Sequence, residues 1–199
     1  MVKYCDLIIE GLLTTWDKRG GVNLSPMGAR FDNSETNIQL RPFITSRSYQ
    51  NLMNSQAAVF HITDDVELIA HSAIGELPEM PELIQLNGGF ATRLKDTCRW
   101  FFAQLSSTEL IGERSTLHLK VMQTQTVRNF CGFNRAKHAV IEAAILATRV
   151  GILPDKQILD QLVCLEPWVE KTGGRSERDA FSMLSRWVRN RMLANETSV

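Results

Sequence analysis

The chain has 199 residues, with 22 Lys and Arg balanced by 22 Asp and Glu. That length suits one domain, or one domain with an added subdomain, and can bury a core without staples. Apolar residues at 44% and charged residues at 22% exclude wholesale disorder, and a formal charge of zero argues against coating nucleic acid, which runs on excess positive charge.

No apolar run approaches the roughly 20 residues of a membrane-spanning helix. Asp6 and Glu10 break the apolar stretch at the start, so no secretory leader is read and a cytoplasmic protein without membrane contact is expected. Cys5, Cys98, Cys131 and Cys164 form no CxxC pair, and reduced, mostly buried thiols are expected. Charge is unevenly spread: no Lys or Arg lies between Arg47 and Arg93, whereas six basic residues face three acidic ones from Lys171 onward.

The first third reads as a β-meander. Apolar residues on both faces of Leu7 to Thr14 predict a strand covered on two sides. Asp17 to Gly21 is a turn, and Val22 to Ser25 resumes a strand expected to stop at Pro26. Asp32 to Asn37 is a second polar turn, followed by a strand over Ile38 to Phe43. Ser46 to Ser55 reads as a short helix and Ala57 to Thr63 as a strand. Asp64-Asp65-Val66-Glu67 is a capping box in its Asp form, ahead of a helix that Gly75 stops. Leu77 to Gly89 reads as a long excursion: a lid, a dimer arm or a loop.

Two longer strands are predicted over Asp96 to Ser106 and Ser115 to Val127. Asn134 then caps a helix whose face carries Ala136, Ala139, Val140, Ala143, Ala147 and Val150, ended by Gly151 and Pro154. Two further helices follow, the first expected to be interrupted at Pro167 and the second to begin after Gly173-Gly174. The fold class is α+β: a small antiparallel β-barrel with inserted helices and a helical C-terminal part. Residues 1–130 are expected to form the barrel domain and 131–199 the helical subdomain.

The common catalytic signatures are missing: GxSxG, HExxH, GxGxxG and the P-loop. His61, His71, His118 and His138 lack ligand spacing, so core or surface imidazoles are expected and no metal site. Two segments stand out. In Asn23-Leu24-Ser25-Pro26-Met27-Gly28-Ala29 a strand ends in Pro and Gly, which would bare backbone N–H and C=O groups to a flat ligand. In Arg41 to Leu52, hydroxyls and a guanidinium cluster at a helix start, as a phosphate dianion requires. Each has a plainer reading, a strand-ending turn and an N-cap at Thr45 or Ser46.

The order Asn-x-x-Pro-Met-Gly, Arg-Pro-Phe, Ser-x-Ser-Tyr-x-Asn-Leu and Ala-Val-Phe-His-Ile-Thr-Asp-Asp resembles the flavin-reductase type of FMN-binding split barrel. More closely, it is similar to a family of FMN-binding proteins known largely from methane-forming and related archaea. The resemblance covers residues 6 to 70 well and 115 to 155 more loosely. It implies a homodimer of split barrels with FMN in a groove near the subunit interface. Carried over, Ser25, Met27 and Gly28 would meet the flavin ring or ribityl chain. Ser46, Arg47, Ser48 and Asn51 would hold the phosphate and ribityl hydroxyls, with Arg41 a second cation. Asn134 and Arg135 could come from the partner subunit. Related reductases often carry Lys-Asp-Thr where this chain has Ser46-Arg47-Ser48, which moves the positive charge by one residue.

FMN needs a cation and several donors for its phosphate, and apolar walls for its ring. Trp16, Phe43, Tyr49 and Trp100 are wall candidates, although each is more often plain core. The expected function is an FMN-dependent oxidoreductase of a small substrate, the flavin supplying the chemistry. The alternatives are a non-catalytic flavin carrier or sensor and an interaction module without cofactor. A nucleic-acid module using Arg186, Arg189 and Arg191 is disfavoured, because no aromatic residues interleave with the basic ones.

Overall fold

In a computed structural model, residues 2–86, 89 and 91–196 are described, and they divide into two compact units. The first comprises residues 1–63 and 80–130, and the second residues 64–79 and 131–199.

The first unit is a closed antiparallel barrel. Its strands are β1 (Ile9–Trp16), β2 (Val22–Phe31), β3 (Asn37–Leu40), β4 (Ala57–Ile62), β7 (Arg99–Ile111) and β8 (Arg114–Thr126), in the order β1-β2-β3-β8-β7-β4. Helix α1 (Arg47–Ser55) lies between β3 and β4 in the chain. Alternation sends Leu13, Phe31, Ile38, Leu40, Phe60, Phe101, Leu117 and Leu119 into one interior cluster. The other face of β4 and β7 carries Val59 and Trp100, which pack with Trp16, Leu86 and Ala91. A ribbon of β5 (Leu83–Gln85) and β6 (Thr92–Leu94) supplies that outer cover. The predicted excursion is therefore in part a paired ribbon; its residues 87 and 88 lie outside the described residues.

Both turns form as expected. The Asp17 carboxylate accepts from the Arg19 and Gly21 amides, and Gly20 takes φ 83°. In the second turn, burial opposes ionisation of Asp32, yet hydrogen bonds from Asn37, Ser34 and Thr36 hold its carboxyl down at about 2.

Strand β2 departs from expectation: it does not stop at Pro26 but runs to Phe31, with Pro26 opposite Leu12 and Gly28 opposite Glu10. Pairing of β2 with β3 starts only at Ala29, so the outer edge of β2 at Pro26 calls for no N–H. Strand β7 runs past its predicted end at Ser106 to Ile111, while β8 keeps close to its predicted bounds; their pairing carries two register shifts, at Phe102/Ala103 and Leu105/Ser107. At Gly11 a Cβ would come within 2.3 Å of the His61 carbonyl oxygen, so the β1–β4 crossing admits only glycine.

The second unit comprises α2 (Val66–Ile74), α3 (Arg135–Ala147), α4 (Asp155–Thr172) and α5 (Arg175–Glu196). Asp65 caps α2 through the Leu68 amide, Gly75 ends it at φ 73°, and Asn134 caps α3 through the Lys137 amide. Ala139, Val140, Ala143, Ile158, Leu162, Leu184 and Val188 share its core. Contrary to expectation, α4 continues through Pro167. The bond Pro167 cannot make is to the carbonyl of Val163, an exposed residue, so that loss falls on the solvent side. Lys137 bridges Glu177 at 2.9 Å and the Asp64 carbonyl at 2.7 Å, joining the start of α2 to α3 and α5.

All four cysteines are free, but only Cys98 is buried; Cys131 and Cys164 are exposed. The expectation of mostly buried thiols therefore fails: Cys164 sits on the solvent side of α4, and Cys131 in the exposed connection that leads into α3.

His61 ties three strands together. It is fully buried, donates from Nδ1 to the Leu12 carbonyl at 3.1 Å and accepts at Nε2 from the Leu94 amide at 3.1 Å. Burial holds its pKa down to about 3, and the hydrogen bond to Leu12 offsets this only in part. The unfolded chain would take up a proton near the ordinary value of 6.5, which the folded state refuses until about 3. Stability should thus fall as pH drops from 6.5 towards 3. Urea midpoints measured across that range should decline in the parent, and His61→Gln should flatten the decline while lowering stability at neutral pH. An identical pH slope in the two proteins would contradict this.

Candidate functional site

The two segments singled out in the sequence meet at one end of the barrel. Along β1 and β2 the inward face is apolar at Leu13, Met27 and Ala29, then turns polar at Thr15, Asn23 and Ser25. These three need partners, and α1 supplies them. Ser25 Oγ and Ser48 Oγ lie 2.6 Å apart, and Asn23 donates to Ser48 Oγ at 3.2 Å. Asn51 donates to Thr15 Oγ1 at 3.1 Å, and Leu52 of the next position enters the interior cluster. Helix α1 therefore plugs the barrel, with Ser48 and Asn51, one turn apart, on the face that seats it.

The seating leaves the first turn of α1 turned toward the β1–β2 turn. Ser46 is its N-cap: the hydroxyl accepts from the Tyr49 amide at 3.2 Å and donates to the Phe43 carbonyl at 2.7 Å. The first turn carries no acidic side chain, and Arg47 is exposed. Hydrogen bonds from the Gly21 and Arg19 amides hold the Asp17 carboxyl below its usual range, and the nearby charges of Arg19 and Arg47 add to this. A helix start without an acid, with a guanidinium beside it, attracts an anion through its amides and its dipole.

The other predicted residues are placed as follows. Met27, half-buried, packs its side chain against the interior cluster. Gly28 is half-buried, and a Cβ there would come within 2.7 Å of Ile8 Cγ2; the side chain of Ile8 already explains the glycine. Arg41 is exposed, and its carbonyl accepts from Arg114, whose guanidinium lies 3.8 Å from the Phe43 ring centre. Asn134 caps α3 and donates to the Thr172 carbonyl at 3.0 Å; Arg135 opens that helix and is exposed. Both belong to the second unit, whereas the other eight belong to the first.

Of the aromatic candidates, Trp16 and Trp100 are buried in the outer cluster and Tyr49 packs on the interior one. Phe43, 42% exposed, keeps a free face. Thr15 and Asn23 were missed as site residues. Their signal was available: the alternating inward positions change from apolar to polar at the same barrel end on both strands. Among the described residues, no group of three His, Cys, Asp or Glu side chains is arranged to hold a metal ion. No described helix is long and apolar enough to cross a membrane.

Ser48 is 3% exposed, so removing its hydroxyl leaves Asn23 and Ser25 short of a partner in a poorly hydrated place. Ser48→Ala should cost about 1–3 kcal/mol in urea unfolding. Ser34→Ala, at an exposed turn, should cost less than about 1 kcal/mol. Equal effects of the two would show that the buried pairing has no special weight.

The fold is shared with known proteins. A family model described as a protein of unknown function (DUF447), N-terminal domain, matches residues 9–130, and the model described as protein of unknown function (DUF447) matches residues 134–186. Among solved structures, the chain is similar to an FMN-bound protein from Methanosarcina mazei of the same family model. The two are 20% identical over 90% of this chain and 94% of that one, with a TM-score of 0.78. It is also similar to the flavin reductase of styrene monooxygenase from Pseudomonas putida S12, at 13% identity over 61% of this chain and 82% of that one, with a TM-score of 0.50. Flavoredoxin from Methanosarcina acetivorans is 10% identical over 60% of this chain and 68% of that one, with a TM-score of 0.52. No curated protein matches. At such identities the likeness is one of fold, and the antiparallel split barrel with added helices expected from the sequence is the fold observed. With both models matched along most of its length, the chain belongs to the DUF447 family.

Proposed function

We propose that this chain binds FMN at the mouth of α1 and works as an FMN-dependent oxidoreductase on a small substrate. The observation that carries the reading is the contact of 2.6 Å between Ser25 and Ser48, which fixes an acid-free helix start against β2. The FMN-bound M. mazei relative and the P. putida flavin reductase, which share the fold, support it.

The residues present fit the cofactor in a specific way. Arg47 and the first-turn amides of α1 would hold the phosphate, with Arg41 as a second cation and the Ser46 hydroxyl at the rim. Ser48 and Asn51, already paired inside the barrel, act by orienting that turn rather than by gripping the ligand. Ser25 and the backbone of Met27 and Gly28 would border the ring or ribityl chain, beside the unpaired outer edge of β2. Asn134 and Arg135 would come from a second protomer, in a homodimer with the flavin near the interface. Residues 1–63 and 80–130 would form the flavin-binding domain, and the helical one expected over 131–199 would take in 64–79 as well. The four free cysteines suit a reducing cytoplasm.

Bound there, the flavin supplies hydride or electron transfer, so the protein itself needs no nucleophile or paired acid and base. The protein's own work is to neutralise the phosphate, align the ring with the β2 edge and exclude water from its covered face.

Titration followed by quenching of flavin fluorescence should give saturable binding of one FMN per chain. Arg47→Ala should weaken it about 10- to 100-fold, the worth of a charge-assisted hydrogen bond. Rapid-mixing reduction by NADH, NADPH or reduced deazaflavin then separates an oxidoreductase from a carrier, which would bind FMN without turnover. Absence of saturable binding, or an Arg47→Ala affinity equal to the parent's, would contradict the reading.

A further inference from the structure

We propose that the groove between α4 and α5 is a second binding site, for a small molecule that carries one oxyanion and, at its other end, a hydrogen-bond donor. It shares no residue with the α1 mouth and stands independently of the flavin reading.

The groove has a cavity volume of about 380 Å³, within the size range of small-molecule sites, and an apolar floor of Leu162, Val169 and Phe181. Its α5 wall is a single stripe at helical spacing: Arg178, Ser182, Ser185, Arg186 and Arg189. Glu166 and Glu170, one turn apart on α4, face it.

Two helices lying flush would let these opposite charges pair. Here the groove holds them apart, and among the described residues none of the three arginines is ion-paired with either glutamate. Arg178 donates instead to the Glu170 carbonyl at 3.2 Å, and Arg189 to the Ser185 carbonyl at 3.4 Å. Arg186 has no partner among the described residues. Placing three guanidinium groups along one stripe costs repulsion that a bound anion would relieve, and the planar fork of Arg matches carboxylate or phosphate oxygens.

Ser185 points to the same chemistry independently. It is 8% exposed and lines the groove, yet its hydroxyl has no partner among the described residues. A helical serine commonly bonds back to its own helix, as Ser55 does to the Asn51 carbonyl at 2.9 Å. Ser185 does not, so its hydroxyl stays open to the groove, where water or a ligand can bond to it. The two glutamates repel a plain polyanion and favour a ligand with a donor at the far end. Arg186 and Arg189, part of the basic run noted in the sequence, are thereby given a small-molecule role; Arg191 lies outside the groove.

The test uses the full chain, with and without saturating FMN, titrated with inorganic phosphate, butyrate and 4-aminobutyrate. Arginine Nε–H resonances are followed by NMR. Saturable shifts at Arg186 and Arg189 are expected in both flavin states, strongest with 4-aminobutyrate, with a dissociation constant on the order of 1 mM or tighter. The double variant Arg186→Ala/Arg189→Ala should weaken binding at least about tenfold and Ser185→Ala about threefold, while Arg191→Ala leaves it unchanged. No saturable binding, equal binding by the double variant, or shifts confined to Arg47 or Arg191 would overturn the proposal. Shifts that track protein rather than probe concentration would also overturn it, since they would mark the groove as a contact between copies.

Discussion

The inward face of the barrel changes character within two residues, and much of the molecule follows from that change. Leu13, Met27 and Ala29 are satisfied by other apolar side chains, but Thr15, Asn23 and Ser25 are not. A buried amide or hydroxyl without a partner costs several times what a made hydrogen bond gains, so the polar end has to be closed by something that bonds back. Ser48 and Asn51 do this from one face of α1, while Leu52 anchors the same helix in the apolar interior. Three points of attachment of two kinds leave α1 little freedom to slide or roll. The direction of its first turn, with Ser46 as cap and Arg47 in solvent, is a consequence of the core rather than of any ligand.

Local chemistry was the most legible part of the sequence. Ser46 and Asn134 cap the helices that their positions announced, and at α2 the cap falls one residue past the expected box, on Asp65 rather than Asp64, because an N-cap satisfies orphan amides within four residues and needs no distant help. Asp17 and Asp32 organise their turns for the same reason. Prolines were less legible, since their effect depends on what lies across from the missing N–H. Pro26 sits on a bare strand edge and Pro167 ahead of a solvent-facing carbonyl, so neither ends its element. The paired ribbon at β5 and β6 escaped notice because its strands are three residues each and its contact with Trp16 and Trp100 is made by the flanking Leu86 and Ala91, distant from them in sequence.

The candidate site shows the same division. That Ser25 and Ser48 should meet was readable from two hydroxyl-rich segments one hairpin apart; that Ser48 and Asn51 would be consumed by the meeting was not. Which side of a helix turns inward is decided by the whole barrel end, including Thr15 and Asn23, whose polarity matters only once β1 and β2 are in register. Gly28 is a similar case: the sequence suggested a bare approach for a ligand, and the fold supplies Ile8 as a sufficient reason for the missing Cβ.

The central claim is that a helix start fixed by buried hydroxyls serves as an anion seat beside a strand edge. A crystal structure of the protein grown with FMN tests it most directly. The account predicts the phosphate within about 3 Å of the first-turn amides of α1 and of the Arg47 guanidinium, with the ring along the outer edge of β2. A flavin phosphate seated elsewhere, with Ser46 and Arg47 facing only solvent, would contradict it.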